Sequence, residues 1–145
     1  MHDISTRTRA PGLSQRSPSA TYKGYWMITN RCNLSCSYCV LEDAPAQLAR
    51  ELDLEGKKRL ASHLYERLKF RRLTLSGGEA TLIGKRAPTD FIALLRHLST
   101  YRSSDPATNL QLELYSNGAR LTEAVADEMA GVVDVVALTI DSADD

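Results

Sequence analysis

Four short apolar runs alternate with three helical stretches, and that alternation constrains the fold more tightly than any other feature of the chain. Tyr25-Trp26-Met27-Ile28-Thr29 is aromatic and β-branched and reads as a strand. Residues 54–69 read as a helix, with Leu60, Ala61, Leu64 and Leu68 on one face and Asp53 placed to cap it. Leu73-Thr74-Leu75-Ser76 is a second strand, stopped by Gly77-Gly78. Pro88-Thr89-Asp90 opens a second helix, with Thr89 as its cap and Phe91, Leu94, Leu95 and Leu98 as its buried stripe. Residues 110–115 alternate strictly and form a third strand, ended by Asn117-Gly118. Thr122 caps a short third helix holding Val125 and Met129. Residues 132–140 are almost continuously apolar, which predicts a fourth strand buried on both faces.

Strands joined through helices must run parallel, because a parallel pair needs a long crossover. The expected class is therefore α/β, with about four βα units. At 145 residues the chain is one domain's worth of sequence. It is too short for an eight-unit barrel, which takes about 200 residues or more. Residues 1–20 are polar, contain Pro11, Gly12 and Pro18, and show no periodicity, so they read as a flexible leader ahead of a domain at 21–145. Eighteen Lys and Arg balance eighteen Asp and Glu, which argues against a general nucleic-acid binder. No apolar run approaches the roughly 20 residues that span a bilayer, and no secretory signal opens the chain, so a cytoplasmic location is expected.

In parallel α/β units the chemistry gathers at the C-terminal ends of the strands. Four places qualify: the loop after the first strand, Gly77-Gly78-Glu79, Ser116-Asn117-Gly118, and Asp141-Ser142. The first holds all three cysteines of the chain, Cys32, Cys36 and Cys39. An odd, tightly clustered set is a poor disulfide framework. Clustered thiolates suit a soft metal or an iron–sulfur cluster. Three ligands around a [4Fe-4S] cube leave one iron open, and an open metal is a place for substrate or cofactor. The alternative is structural zinc. Zinc wants four protein ligands, and the histidines, His2, His63 and His97, fall in the leader or on helices. Two glycines at a strand end let another group approach bare backbone, and Glu79 adds a negative charge.

The run Cys32-Asn33-Leu34-Ser35-Cys36-Ser37-Tyr38-Cys39 resembles the C-x3-C-x2-C motif of the radical S-adenosylmethionine (SAM) superfamily. Gly77-Gly78-Glu79 is similar to that family's G-G-E after its second strand. Ser116-Asn117-Gly118 resembles the Thr-Asn-Gly that often follows strand three, and Thr139-Ile140-Asp141 the hydroxyl-x-Asp that often ends strand four. The likeness runs from about Tyr25 to Asp141 in the right order. It implies the parallel-stranded first half of a partial TIM-type (β/α)6 barrel. It further implies that Cys32, Cys36 and Cys39 hold a [4Fe-4S] cluster whose fourth iron binds SAM. Gly77, Gly78 and Glu79 would hold the SAM ammonium, and the Tyr38 region would lie against adenine. Ser116, Thr139 and Asp141 would supply further SAM contacts, to its carboxylate or ribose hydroxyls, and Asn117 would be a further cofactor-binding residue. Reductive cleavage of SAM would give a 5′-deoxyadenosyl radical that takes hydrogen from a peptide or small-molecule substrate. Such cleavage needs a low-potential electron, hence a flavodoxin- or ferredoxin-like donor.

The family's fifth and sixth strands have no counterpart before Asp145, and strand four would be an open edge. The chain reads as the N-terminal piece of a longer enzyme. A second polypeptide carrying the rest, and a relic or plain metal-binding module without turnover, are the alternatives. Other features have simple readings. Lys57-Lys58-Arg59 is expected on a solvated helix face, Trp26 in strand packing, and His63 and His97 at the surface or core edge. Arg31 either favours the neighbouring thiolate or is merely exposed.

Overall fold

The computed structural model describes residues 22–39, 41 and 51–140; the expected leader and Asp141 lie outside the described residues. Strands β1 (Tyr22–Thr29), β2 (Phe70–Gly77), β3 (Gln111–Ser116) and β4 (Val135–Leu138) form one sheet in the order β1-β2-β3-β4, every neighbouring pair parallel. Helices α1 (Leu54–Ser62), α2 (Thr89–Ser99) and α3 (Glu123–Met129) lie between them in sequence. This is the expected α/β order, consistent with the first part of a (β/α)6 barrel. No helix among the described residues is long and apolar enough to cross a membrane.

Alternation along the strands decides which face is buried. Ile28, Leu73, Leu75, Leu112 and Leu114 share a core with Phe91, Leu94, Leu95 and Leu98 of α2 and Val125 and Met129 of α3. Each fully buried leucine contributes about 1.5–3 kcal/mol. Trp26 packs at the margin of this core, as expected. The opposite parity carries Tyr25 and Met27 on β1 and Tyr115 on β3, all exposed. Tyr25 pairs with Thr74, which pairs with Glu113, so that face is in register across three strands.

Two of the expected caps form: Asp53 accepts from the Gly56 N–H at 2.7 Å, and Thr122 from the Val125 N–H at 3.4 Å. Thr89 does not cap α2; it is the first helical residue. Asp90 instead turns back to accept from the backbone N–H groups of Lys85 (3.0 Å) and Arg86 (3.1 Å). Gly84, at φ +72°, makes room for it, since a Cβ there would stand 2.2 Å from an Asp90 carboxylate oxygen.

Three other expectations are corrected. The helix at 54–69 changes character at His63, where a π turn (His63–Arg67) adds a residue to the repeat. That rotates Leu68 off the apolar stripe, and it is 45% exposed. Lys57 does not belong to a solvated face. It is 2% exposed, with its ammonium donating to Glu51 at 2.7 Å and to the Leu52 carbonyl. Finally, β4 is four residues long and not buried on both faces: Val135, Val136 and Leu138 are exposed at the sheet edge. Val132 and Val133, read as part of that strand, pack against the core from the turn before it.

Candidate functional site

The C-terminal ends of β1, β2, β3 and β4 meet at a cleft of about 240 Å3. Cys32, Cys36, Tyr38 and Cys39 come from the loop after β1, and Gly77 and Gly78 from the end of β2. Ser116 and Asn117 come from the end of β3, and Thr139 from just beyond β4. Nearly all the residues singled out in the sequence thus meet in one place. Tyr25, Leu34, Ser76 and Tyr115 complete the wall.

The two glycines have a structural reason that the sequence did not disclose. The Gly78 N–H donates to the Thr29 carbonyl (2.9 Å), and the Glu79 N–H donates to the Arg31 carbonyl (2.6 Å). A Cβ on Gly77 would stand 2.0 Å from the Thr29 oxygen, and one on Gly78 2.3 Å from the Arg31 oxygen. The bare backbone is therefore packed against the first residues of the cysteine loop and fixes where that loop begins. Arg31 is exposed, its guanidinium donating to the Gly84 carbonyl at 2.7 Å, the plainer of its two readings.

Glu79 is fully buried and is not among the cleft-lining residues. One carboxylate oxygen accepts from the Thr81 N–H (3.1 Å) and Thr81 hydroxyl (2.7 Å). The other accepts from the Asn117 N–H (2.8 Å), and the Ser116 hydroxyl lies 3.0 Å from both. Glu79 thus ties the end of β2 to the end of β3. Thr81 was not singled out beforehand; its signal is the hydroxyl two residues after a strand-end carboxylate.

On the same sheet face Tyr25 donates to Ser76 Oγ at 2.5 Å and meets Tyr115 edge-on, ring centroids 6.0 Å apart. Both tyrosines escaped the sequence reading as cleft residues. The signal was parity, since Tyr25 faces opposite to Trp26. Deeper on this face Glu113 accepts from Thr74 (2.8 Å) and Lys23 (3.0 Å), which hold its carboxyl below the usual range.

The three cysteines are free thiols. The Cys36 carbonyl accepts from the Cys39 N–H at 3.1 Å. The Leu34 N–H and Leu41 N–H donate to Cys32 Sγ and Cys39 Sγ, each at 3.5 Å. Among the described residues no three His, Cys, Asp or Glu groups converge on a single point as ligands of one ion. The donor set fits a cluster on other grounds: in a cubane each thiolate binds its own iron, so the thiols must share a cleft without converging. All three line this one.

The Radical SAM superfamily model matches residues 26–145. The chain belongs to the radical SAM superfamily. Named relatives are the GTP 3′,8-cyclases of Mesorhizobium japonicum (33% identical over 118 residues), Caulobacter vibrioides (35% over 122) and Parasynechococcus marenigrum (35% over 124). These alignments cover 81%, 83% and 81% of this chain and 33% of each relative. The chain therefore spans about a third of the length of the curated relatives it matches.

Proposed function

We propose that residues 21–145 are the cluster- and SAM-binding part of a radical SAM enzyme, preceded by a leader at 1–20. The observation that carries this reading is one cleft, at the C-terminal ends of parallel strands, lined by Cys32, Cys36, Cys39, Gly77, Gly78, Ser116 and Asn117. Cys32, Cys36 and Cys39 would hold a [4Fe-4S] cluster with one iron free of protein ligands. When bound, that cluster supplies a low-potential electron and a coordination position for SAM, whose reductive cleavage yields methionine and a 5′-deoxyadenosyl radical.

The chain's own residues bind and orient. Gly77 and Gly78 offer bare backbone to the SAM ammonium, and the negative charge of Glu79 lies behind them. Thr139 and Tyr38 are exposed in the cleft wall, where a ribose hydroxyl and an adenine ring would find a hydroxyl and an aromatic face. The Ser116 hydroxyl is engaged by Glu79, so it supports SAM by holding the strand end. Asp141 completes the set. A flavodoxin- or ferredoxin-like donor and a cytoplasmic location go with this reading. The relatives' name makes GTP the first substrate to offer to the longer enzyme of which this segment would be the N-terminal part.

The test is anaerobic reconstitution of the full chain with iron and sulfide, followed by SAM and dithionite. Release of 5′-deoxyadenosine, abolished in Cys36→Ala, supports the proposal. A reconstituted cluster that leaves SAM intact overturns the catalytic part of it.

A further inference from the structure

The side chain of Asn117 faces the cysteine loop. Its Nδ2 donates to Asn33 Oδ1 at 3.0 Å and approaches Cys32 Sγ at 3.8 Å. Its Oδ1 accepts from the Ala119 N–H at 3.0 Å, and its backbone N–H donates to Glu79 at 2.8 Å. The Ala119 bond settles the orientation of the amide: the oxygen must face that N–H, so the NH2 group must face Cys32 and Asn33. Cys32 Sγ thereby has a side-chain donor from the residue just after β3 in addition to the Leu34 N–H of its own loop. Glu79, fully buried, holds Asn117 in place from behind.

We propose that Asn117 is a positioning residue that hydrogen-bonds the Cys32 thiolate and so raises the reduction potential of the cluster that Cys32 ligates. This deepens the proposed function and rests on it. Reduction adds negative charge to the cluster, and part of it spreads onto the ligand sulfurs. A donor aimed at one sulfur stabilises the reduced form more than the oxidised form, so its removal makes reduction harder.

Two substitutions separate this role from a merely structural one. Asn117→Ser keeps a hydroxyl for the turn at Ala119 but is too short to reach Cys32. Asn117→Asp keeps the acceptor for Ala119, removes the donor and adds a negative charge beside the thiolate. The experiment reconstitutes the full chain and both variants anaerobically, counts iron and sulfide, and titrates the reduced cluster signal against mediators. With cluster content equal to that of the unaltered chain, Asn117→Ser should lower the reduced-to-oxidised ratio at a fixed potential about tenfold, equivalent to ~59 mV for a one-electron couple. Asn117→Asp should lower it further. Unchanged potentials in both variants overturn the inference while leaving the proposed function standing. Loss of the cluster from both variants, with folding intact, makes Asn117 a clamp on the loop and likewise overturns tuning. Failure of the unaltered chain to assemble any cluster brings down the proposed function, and this inference with it.

Discussion

Replacing Gly78 by alanine tests how the cysteine loop is positioned. Gly78 lies outside the left-handed region, so backbone conformation alone would accept alanine. What forbids it is space. The added Cβ would lie 2.3 Å from the Arg31 carbonyl oxygen and 2.7 Å from its carbon, where contacts below 3.0 Å essentially never occur. Both atoms are backbone, so no side chain can swing aside and the loop itself must retreat. Overpacking of this kind costs about 1–3 kcal/mol. The retreat also stretches the bonds from Gly78 N–H to Thr29 and from Glu79 N–H to Arg31, each worth about 1 kcal/mol net. Gly78→Ala should therefore destabilise the chain by about 3–5 kcal/mol and displace the start of the cysteine loop. Gly131→Ala is the control. Gly131 has φ +71° with nothing within 4 Å of an added Cβ, so only the conformational cost of about 1–2 kcal/mol applies. Urea unfolding midpoints and iron bound after anaerobic reconstitution read the two effects. Gly78→Ala should lose both stability and iron, and Gly131→Ala should lose some stability and keep its iron. Equal midpoints and full iron in both would refute the argument that backbone contact seats the loop.

Two further predictions concern carboxylates held by hydrogen bonds. Glu79→Gln keeps the shape but, whichever way the amide lies, turns its NH2 toward a backbone N–H, of Thr81 or of Asn117, and should cost about 2–4 kcal/mol in urea unfolding. An unchanged midpoint would show that the Glu79 network does not join β2 to β3. Stability should also fall in acid. Burial pushes Asp90 up, but N–H donation from Arg86 and Lys85 and the Arg86 guanidinium outweigh it and hold the carboxyl below its ordinary range. Asp134 is held low by the Arg102 guanidinium, at 2.6 and 2.9 Å, and by the Leu112 N–H. A carboxyl lowered by folding stabilises above its unfolded pKa and loses that contribution as pH falls through the folded value. Unfolding midpoints should therefore drop below about pH 4, and Asp134→Asn should flatten that drop; an Asp134→Asn curve parallel to the unaltered one would contradict it.

Elements with a strong period were legible in the sequence, and so was the meeting of the motifs at strand ends. The strict alternation around Leu112 and Leu114 and the stripe of Phe91, Leu94, Leu95 and Leu98 reflect one buried face each, and a single face is what periodicity reports. The apolar run at 132–140 misled because hydrophobicity does not distinguish an interior strand from an edge. Val135 and Leu138 lie at an edge, about half exposed. Lys57 looked solvated because its neighbours are charged; its burial depends on Glu51, a partner six residues away that helical spacing does not suggest. The glycines have a second physical reason, beside the ligand expected against them. The backbone of Thr29 and Arg31 packs where a Cβ on Gly77 or Gly78 would stand. Such a contact, between residues about fifty positions apart, is not written in any local pattern.

The central claim is that three thiols leave one iron of a cubane open to SAM. Its most direct measurement is paramagnetic resonance of the reduced, anaerobically reconstituted full chain, with metal analysis, before and after SAM is added. The account predicts a [4Fe-4S] signal whose shape changes when SAM arrives, and no signal in Cys32→Ala. Stoichiometric zinc with no cluster assembled, or a cluster signal indifferent to SAM, would contradict it.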